Sequence, residues 1–426
     1  MALHDIAVWL YNLDTSEGVD ITSIALEKKA SVRHNHTRNF TVEVPSGDPL
    51  VTDTFGDGYP AMRKGNRKLL VFRDDEIIHH GRVFGVERTG DGTTNRAVIT
   101  SFDPLMELGY DSEDRAGRPV RDETGNFISP SFTPSGGGSA GDPISGADLI
   151  FQILTNSQVV GDEGDPGGEG PLPIDLTTGD LDLDVPPAID LGPSDSMSWP
   201  VMIGDFIQQI VDSNVVDIYL RPVDPIEYED TNFPLDPYQM VALSAVNLFG
   251  TDRSSTVHFD YWTGSKNAKA CRHVEDFSPI NNKLYDYLGP RVNQNRWKGN
   301  IVPGSPGTIV DPSASRALYG VFMQIREFDS VGTESSVRPL FIALWNAEQG
   351  LRVEPRDMLF ITPNPDSKAL FEPYTDYNVG DLVTVNVGGE FGVNIAAVQR
   401  IYGWDVEWDR NGIERVSQLL VSADVA

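Results

Sequence analysis

Residues 377–421 read YNVGDLVTVNVGGEFGVNIAAVQRIYGWDVEWDRNGIERVSQLLV. Three strand-like runs are separated by turn signals, and the last two are joined by Asp409-Arg410-Asn411-Gly412. Asn-Gly between alternating runs is a strong hairpin signal, because a type I′ turn needs φ > 0 at both central residues. Taking Asn411-Gly412 as a two-residue loop predicts the pairs Arg410 with Ile413, Trp408 with Arg415, Val406 with Ser417, Trp404 with Leu419 and Tyr402 with Val421. Side chains alternate along a strand, so Val398, Tyr402, Trp404, Val406 and Trp408 fall on one face. Gln399, Asp405, Glu407 and Asp409 fall on the other. A slip of one residue would expose both tryptophans, so a tightly held register is expected. Trp404 and Trp408 are read as core; the alternative is an aromatic platform for sugar, which needs both rings on an open face.

Working outward, the chain has 426 residues, which predicts two to four domains. Its 39% hydrophobic content is enough for packed cores. The formal net charge of −30 repels nucleic acids and anionic membranes, which argues against a nucleic-acid-binding protein. Arg outnumbers Lys, and Asp and Gly are abundant, as in high-GC or salt-adapted genomes. The one cysteine, Cys271, excludes an intrachain disulfide framework and a multi-cysteine zinc site, and is read as a small buried hydrophobe. The opening residues lack the basic and apolar regions of a signal peptide. No run approaches 18 apolar residues, so no transmembrane helix and no membrane insertion are expected. Synthesis in the cytoplasm follows as the expectation.

From the start, residues 6–13 read as a strand, and residues 31–44 cross a turn from one strand into another. Residues 68–73 and 77–87 flank Asp74-Asp75 as a hairpin, and 96–102 pairs back after a turn at 90–92. Asp103 is placed as the N-cap of a short helix over 105–108, with Pro104 at its first position. Residues 109–143 are polar and rich in Gly and Pro, an exposed loop or linker. Helices are predicted over 144–158, with Ala147, Ile150, Phe151 and Leu154 on one stripe, and over 199–212, with Met202, Phe206 and Ile210 on another. A Gly- and acid-rich loop covers 161–170. Further strands are expected at 215–220, 257–262, 268–275 and 283–288. Residues 303–316 mark a second boundary, 318–328 is a strand or short helix, 338–349 is helical, and β structure resumes at 352. No repeat of 20–50 residues is present.

Two ends of the chain together carry a resemblance. Arg38-Asn39-Phe40-Thr41-Val42 is followed by the hairpin Leu70-Val71-Phe72-Arg73-Asp74-Asp75 with Gly81-Arg82-Val83. Ala97-Val98-Ile99-Thr100-Ser101-Phe102-Asp103-Pro104 comes next, and the far end holds Val379-Gly380-Asp381-Leu382-Val383 before the Trp hairpin. In this order and spacing, over roughly half the chain, they resemble the minor tail proteins that form the tail-tip (baseplate) hub of long-tailed bacteriophages. The resemblance implies a mainly β, multidomain fold: two β-barrel-like hub domains at the ends with a small α/β insertion between. The implied divisions are 1–110, a Gly/Pro-rich loop or linker at 111–143, an α/β insertion at 144–302 and a second β hub domain at 303–426. It implies a structural role in the virion, at the tail tip. Three copies would form a ring joining the tail tube and distal tail ring to a central fibre or spike, and gating DNA exit. Implied partners are a homotrimer, a distal tail protein, the tape-measure protein, and tail fibre or spike proteins. DNA would pass through the lumen without specific binding.

Residue types that could carry chemistry occur in a few places. Asp162, Glu163, Asp165 and Glu169 share one loop, and Asp180, Asp182 and Asp184 alternate. Calcium takes such oxygen ligands. The second run, however, lacks the glycine and bidentate glutamate of an EF-hand, with Leu191 where that glutamate belongs, so both runs are read as solvated loops. His34-x-His36 would share a strand face, and His79-His80 are adjacent, but no third ligand stands at a recognisable spacing; all four are read as surface or sheet-face histidines. No His-Glu-x-x-His, Gly-x-Ser-x-Gly, Walker loop or dinucleotide fingerprint is present. The expectation is no catalytic, cofactor-binding or metal residue, and no enzyme. The alternative is a tail-associated cell-wall or polysaccharide hydrolase working through a carboxylate pair that sequence does not single out among 63 acids.

Overall fold

The computed structural model describes residues 3–12, 17–56, 58–63, 67–90, 94–109, 150, 154, 174–175, 202–212, 216–221, 238–244, 250–262, 266–276, 285–286, 313–320, 325–326, 356–388 and 392–422. Period-two alternation of apolar residues builds most of it. In chain order the first strands are β1 (Ile6–Asn12), β2 (Gly18–Asp20), β3 (Glu27–Arg33), β4 (Asn39–Pro45), β5 (Arg67–Arg73), β6 (Glu76–Gly90) and β7 (Asn95–Phe102). Then come β8 (Ile174–Asp175), β9 (Val216–Arg221), β10 (Tyr238–Ser244), β11 (His258–Tyr261), β12 (Ala268–Asp276), β13 (Tyr285–Asp286) and β14 (Ile325–Arg326). The last are β15 (Arg356–Pro363), β16 (Leu382–Val387), β17 (Ile395–Asp409) and β18 (Glu414–Ser422).

The fold is mainly β. One 13-stranded sheet follows the path β12-β15-β18-β17-β3-β4-β7-β6-β5-β1-β2, with β16 pairing β17 and β11 pairing β16. Among its described strand pairs, only β11–β16 is parallel. A small sheet β8-β10-β9 and the pair β13–β14 complete the described strands. The two ends of the chain are therefore one hydrogen-bonded surface, joined where β17 lies against β3 from Gly403↔Arg33 to Asp409↔Glu27. Gly403 is required there: a Cβ would stand 2.4 Å from the Val32 carbonyl oxygen. A single apolar cluster runs through both halves, with Val8, Phe40, Val71, Ile99, Val383, Trp404, Val406 and Trp408 all buried. Burying the two tryptophans contributes most there, because aromatic side chains remove the largest apolar areas from water.

In the first hundred residues the predicted strands at 6–13, 68–73, 77–87 and 96–102 have counterparts in β1, β5, β6 and β7. The 74–75 turn, the β5–β6 hairpin and the return strand β7 are all present. The Asp103 side chain accepts from the Leu105 amide at 3.2 Å, capping the helix Pro104–Glu107. Of the predicted 144–158 helix, Ile150 and Leu154 are described; both are helical and buried. The helix Ile203–Asp212 is followed by β9 and buries Ile203, Ile207 and Val211, with Met202 half-buried; of the predicted stripe, the side chains of Phe206 and Ile210 lie outside the described residues. A helix occupies Ser313–Tyr319, within and beyond the predicted 303–316 boundary. The predicted loops at 111–143 and 161–170 and the helix at 338–349 lie outside the described residues.

The C-terminal hairpin corrects the predicted register. Its loop has three residues, not two: the Asp409 amide bonds the Ile413 carbonyl, the Gly412 amide bonds the Asp409 carbonyl, and Trp408 pairs with Glu414. Among these loop residues Gly412 has φ +78° and Asn411 is not in the left-handed region. This is the arrangement in which only the last loop residue needs φ > 0. The Asp409 carboxylate fixes it by accepting from the amides of Asn411 and Ile413. Val406 consequently faces Val416 rather than Ser417, and Ile401 rather than Tyr402 faces Val421. Trp404 still faces Leu419, because a bulge at Ser417 restores that pair. A second bulge at Tyr402 switches the phase of β17. Before it Gln399 and Ile401 point inward and Val398 is exposed; after it Trp404, Val406 and Trp408 are inward. The predicted common face therefore holds only from Trp404 onward. The tryptophans belong to the core, not to a sugar platform.

Candidate functional site

The two hairpin turns meet, and residues 3–5 are threaded between them. Asp74 and Asp75 have φ +50° and +69°, the type I′ geometry that a two-residue loop requires. The Asp74 amide donates to the Asp5 carbonyl at 2.8 Å, and the Asp5 amide donates back to Asp74 Oδ1 at 2.9 Å. On the other side the His4 amide donates to the Gly412 carbonyl at 3.1 Å, and Leu3 bridges Ile413. A Cβ on Gly412 would stand 2.1 Å from the His4 carbonyl oxygen.

Arg73 ends β5 and is buried at this junction. Its Nε donates to Glu414 Oε2 at 2.9 Å, and Nη1 donates to Thr375 Oγ1 at 2.9 Å. Nη2 reaches Glu372 Oε2 at 3.3 Å, Glu414 Oε1 at 3.4 Å and His4 Nε2 at 2.8 Å. A guanidinium only donates, so His4 Nε2 is the acceptor and the ring proton sits on Nδ1. That nitrogen donates to Asp74 Oδ2 at 2.6 Å. Glu414 also accepts from Trp408 Nε1 at 2.9 Å. Burial raises the Glu414 carboxyl above the ordinary glutamate range, outweighing the opposing pull of Arg73. Burial likewise pushes the Tyr377 hydroxyl well above its ordinary value, reinforced by the charge of Glu414.

Chemically this cluster is a clasp. His4, Glu372 and Glu414 bring three metal-type donor atoms within 4.8 Å of one another. Arg73 Nη2 is already within hydrogen-bonding reach of all three, so the positive charge is part of the chain. Tyr374 and Tyr377 meet the edge of Trp404 at 5.5 and 5.7 Å between ring centroids and close the clasp from the apolar side.

Val379-Gly380-Asp381 makes a second junction. Asp381 is buried and accepts from the amides of Asn378 and Thr251 and from Arg253 Nε, at 2.8, 2.7 and 2.9 Å. Gly380 has φ +91°, and Arg400 donates to its carbonyl. The motif therefore fastens residues 250–257 beside β16, where β11 begins its parallel pairing.

The histidines singled out by sequence do not come together as a ligand set. His34 and His36 do not share a strand face, because β3 ends at Arg33 and Asn35 turns the chain with φ +56°. His34 Nε2 lies 3.1 Å from Asp217 Oδ1, and Asn35 bonds both Asp217 and the Ile218 amide, docking β9 on this turn. His79 and His80 are buried; burial, helped by the charge of Arg38, lowers His79 to about 3, and its Nε2 meets Ser101 Oγ at 2.9 Å. Burial pushes the Cys271 thiol up to about 11, which suits an unreactive packing residue. The acids at 162–169 and 180–184 lie outside the described residues. Sequence reasoning did not single out His4, Glu372 or Glu414. A charged residue in the inward phase at each strand end, Arg73 after Leu69 and Val71 and Glu414 before Val416, was the signal available.

No family model and no curated protein matches the chain. Solved structures do. It is similar to the 43 kDa tail protein of prophage MuSo2 from Shewanella oneidensis, with 12% identity, TM-score 0.51 and 98% of each chain covered. The tail protein from Neisseria meningitidis MC58 is similar at 11% identity and TM-score 0.52, covering 98% of this chain and 96% of that one. Prophage tail protein gp18 from Listeria monocytogenes EGD-e matches at 11% identity and TM-score 0.50, covering 98% and 94%. At such identities the likeness is one of fold, and that fold is the one these phage tail proteins have.

Proposed function

We propose that this chain is a structural protein of a phage tail tip: a hub of three copies in a ring. The ring joins the tail tube and distal tail ring to a central fibre or spike, and gates DNA exit. The observation that carries the reading is a tail-protein fold matched over 98% of the chain. The clasp supports it. Its charged groups are engaged with one another, which suits a part that bears load between strands better than one that turns over a substrate. Partners on this reading are two further copies, a distal tail protein, the end of the tape-measure protein, and fibre or spike proteins. The mechanism is mechanical: sheet edges bury against neighbouring copies, and release of the ring opens the channel.

The formal −30 per chain bears on DNA passage. Like charge along the lumen keeps the duplex from binding the wall, over the ~8–10 Å that screening permits at physiological salt. A lining that is net acidic or neutral is therefore expected.

Immunogold labelling of virions with antibody to this chain tests the reading. Gold at the distal end of the tail is expected; gold on heads only, or none, would overturn it. The hydrolase alternative is tested separately. Clearing of a host cell-wall gel by the purified chain, lost on mutation of one carboxylate pair, would replace the structural reading.

A further inference from the structure

The donor set of the clasp recurs once more among the described residues, and there no described ion pair with a lysine or arginine is part of it. β12 pairs antiparallel with β15, setting His273 opposite Leu359 and Glu275 opposite Asp357. His273 and Glu275 are two residues apart, and Asp357 faces Glu275, so all three side chains share one face of the pair. Their ligand atoms lie within 4.8 Å of one another. His273 Nε2 is 3.1 Å from Asp357 Oδ1; the imidazole is 11% exposed and Asp357 49%. The site is thus a largely buried nitrogen at the floor with two carboxylates at the solvent rim.

Two carboxylates directly opposite on neighbouring strands repel, and such pairs are destabilising unless a cation lies between them. No described lysine or arginine makes an ion pair with either one. Arg272, beside His273, turns to the opposite face, its guanidinium 3.8 Å over the Phe360 ring. In the clasp the same repulsion between Glu372 and Glu414 is relieved by Arg73.

We propose that His273, Glu275 and Asp357 form a binding site for a divalent transition-metal cation, zinc foremost. One imidazole nitrogen with two carboxylate oxygens suits zinc, whereas calcium and magnesium favour all-oxygen sets. On binding, the ion replaces the His273 to Asp357 hydrogen bond; the imidazole coordinates through Nε2 with its hydrogen on Nδ1, and any displaced proton passes to water. Three protein ligands leave a coordination position open to water at the rim. The ion staples β12, an end strand of the large sheet, to β15. This site is independent of the tail-tip reading and does not use the clasp.

The test is isothermal titration of the full-length chain, stripped with EDTA, with zinc chloride at pH 7.5 and with magnesium chloride as comparison. One zinc ion per chain is expected, with a rise in melting temperature, and no heat from magnesium. His273→Ala and Asp357→Asn are expected to weaken zinc binding at least ~10-fold, as loss of a group that holds or orients a metal does. Both variants should melt cooperatively without metal. Should His273→Ala fail to fold, Asp357→Asn alone decides, since its side chain is half exposed. No zinc binding at millimolar concentration, or binding unchanged in Asp357→Asn, would overturn the site. Loss of binding in His4→Ala alone would place the ion in the clasp and overturn it equally.

Discussion

The two clusters differ in who supplies the cation. In the clasp, His4, Glu372 and Glu414 surround Arg73 in the interior. At the sheet rim, His273, Glu275 and Asp357 present the same kinds of donor, and among the described residues no arginine pairs with them. A buried carboxylate that lacks a partner is very costly, whereas water screens a rim carboxylate at small cost. The interior cluster is therefore closed by a covalent charge, and the rim cluster has room for a soluble one. Substitutions in the clasp should accordingly cost far more than substitutions at the rim.

The largest effect is expected at Arg73. Arg73→Met removes the central charge and leaves Glu414 buried beside Glu372, which costs about 3–5 kcal/mol. Urea unfolding of the purified chain measures it; a change within error of wild type would mean that the clasp does not hold the two ends together. Gly412→Val comes next. It places a β-branched side chain at φ +78° and against the His4 carbonyl. Backbone strain alone costs about 1–3 kcal/mol before the collision is counted. Loss of protection of the 409–413 loop in hydrogen exchange is the expected signature. If the loop exchanges as in wild type, the three-residue turn is wrong.

Glu414→Gln gives a smaller effect whose sign depends on pH. Burial raises the folded-state pKa of Glu414 above its ordinary 4.5. The folded chain therefore holds this proton to higher pH than the unfolded chain does. Its stabilising contribution is full below about 4.5 and is lost as pH rises through the folded value. The wild type should accordingly lose stability relative to Glu414→Gln across that interval. Paired denaturation curves from pH 4 to 7 check it, and a difference that grows in the opposite direction contradicts the burial argument. The smallest effect is at the rim. Without metal, Asp357→Asn relieves a like-charge cross-strand pair and should stabilise by about 0.2–1 kcal/mol. Destabilisation of the metal-free chain would show that the two carboxylates do not repel there.

Legibility in the sequence followed locality. The Asp74-Asp75 turn, the Asp103 cap and the strands of the first hundred residues rest on contacts between near neighbours, and they were readable. The Asn411-Gly412 turn was read one residue short, because the carboxylate of Asp409 selects the longer loop. That choice is made by two hydrogen bonds that spacing does not reveal. The bulges at Tyr402 in β17 and Ser417 in β18 were unreadable for a similar reason: each meets a neighbour from elsewhere in the chain, the Tyr402 carbonyl accepting from the amide of His34 and the Ser417 carbonyl from the Thr362 hydroxyl. The clasp was least legible. It joins residues 4, 73, 372 and 414, and only the fold brings them within hydrogen-bonding distance. The buried tryptophans were read correctly because alternation alone puts them inward.

A symmetry-free reconstruction of the intact tail tip tests the central claim most directly, since it gives copy number, position and the charge of the lumen together. Three copies of this chain in one ring are predicted, between the tail tube and the fibre or spike, with an opening lined by acidic or neutral side chains. Six copies, one copy, or a ring whose opening is lined by arginines of this chain would contradict the account.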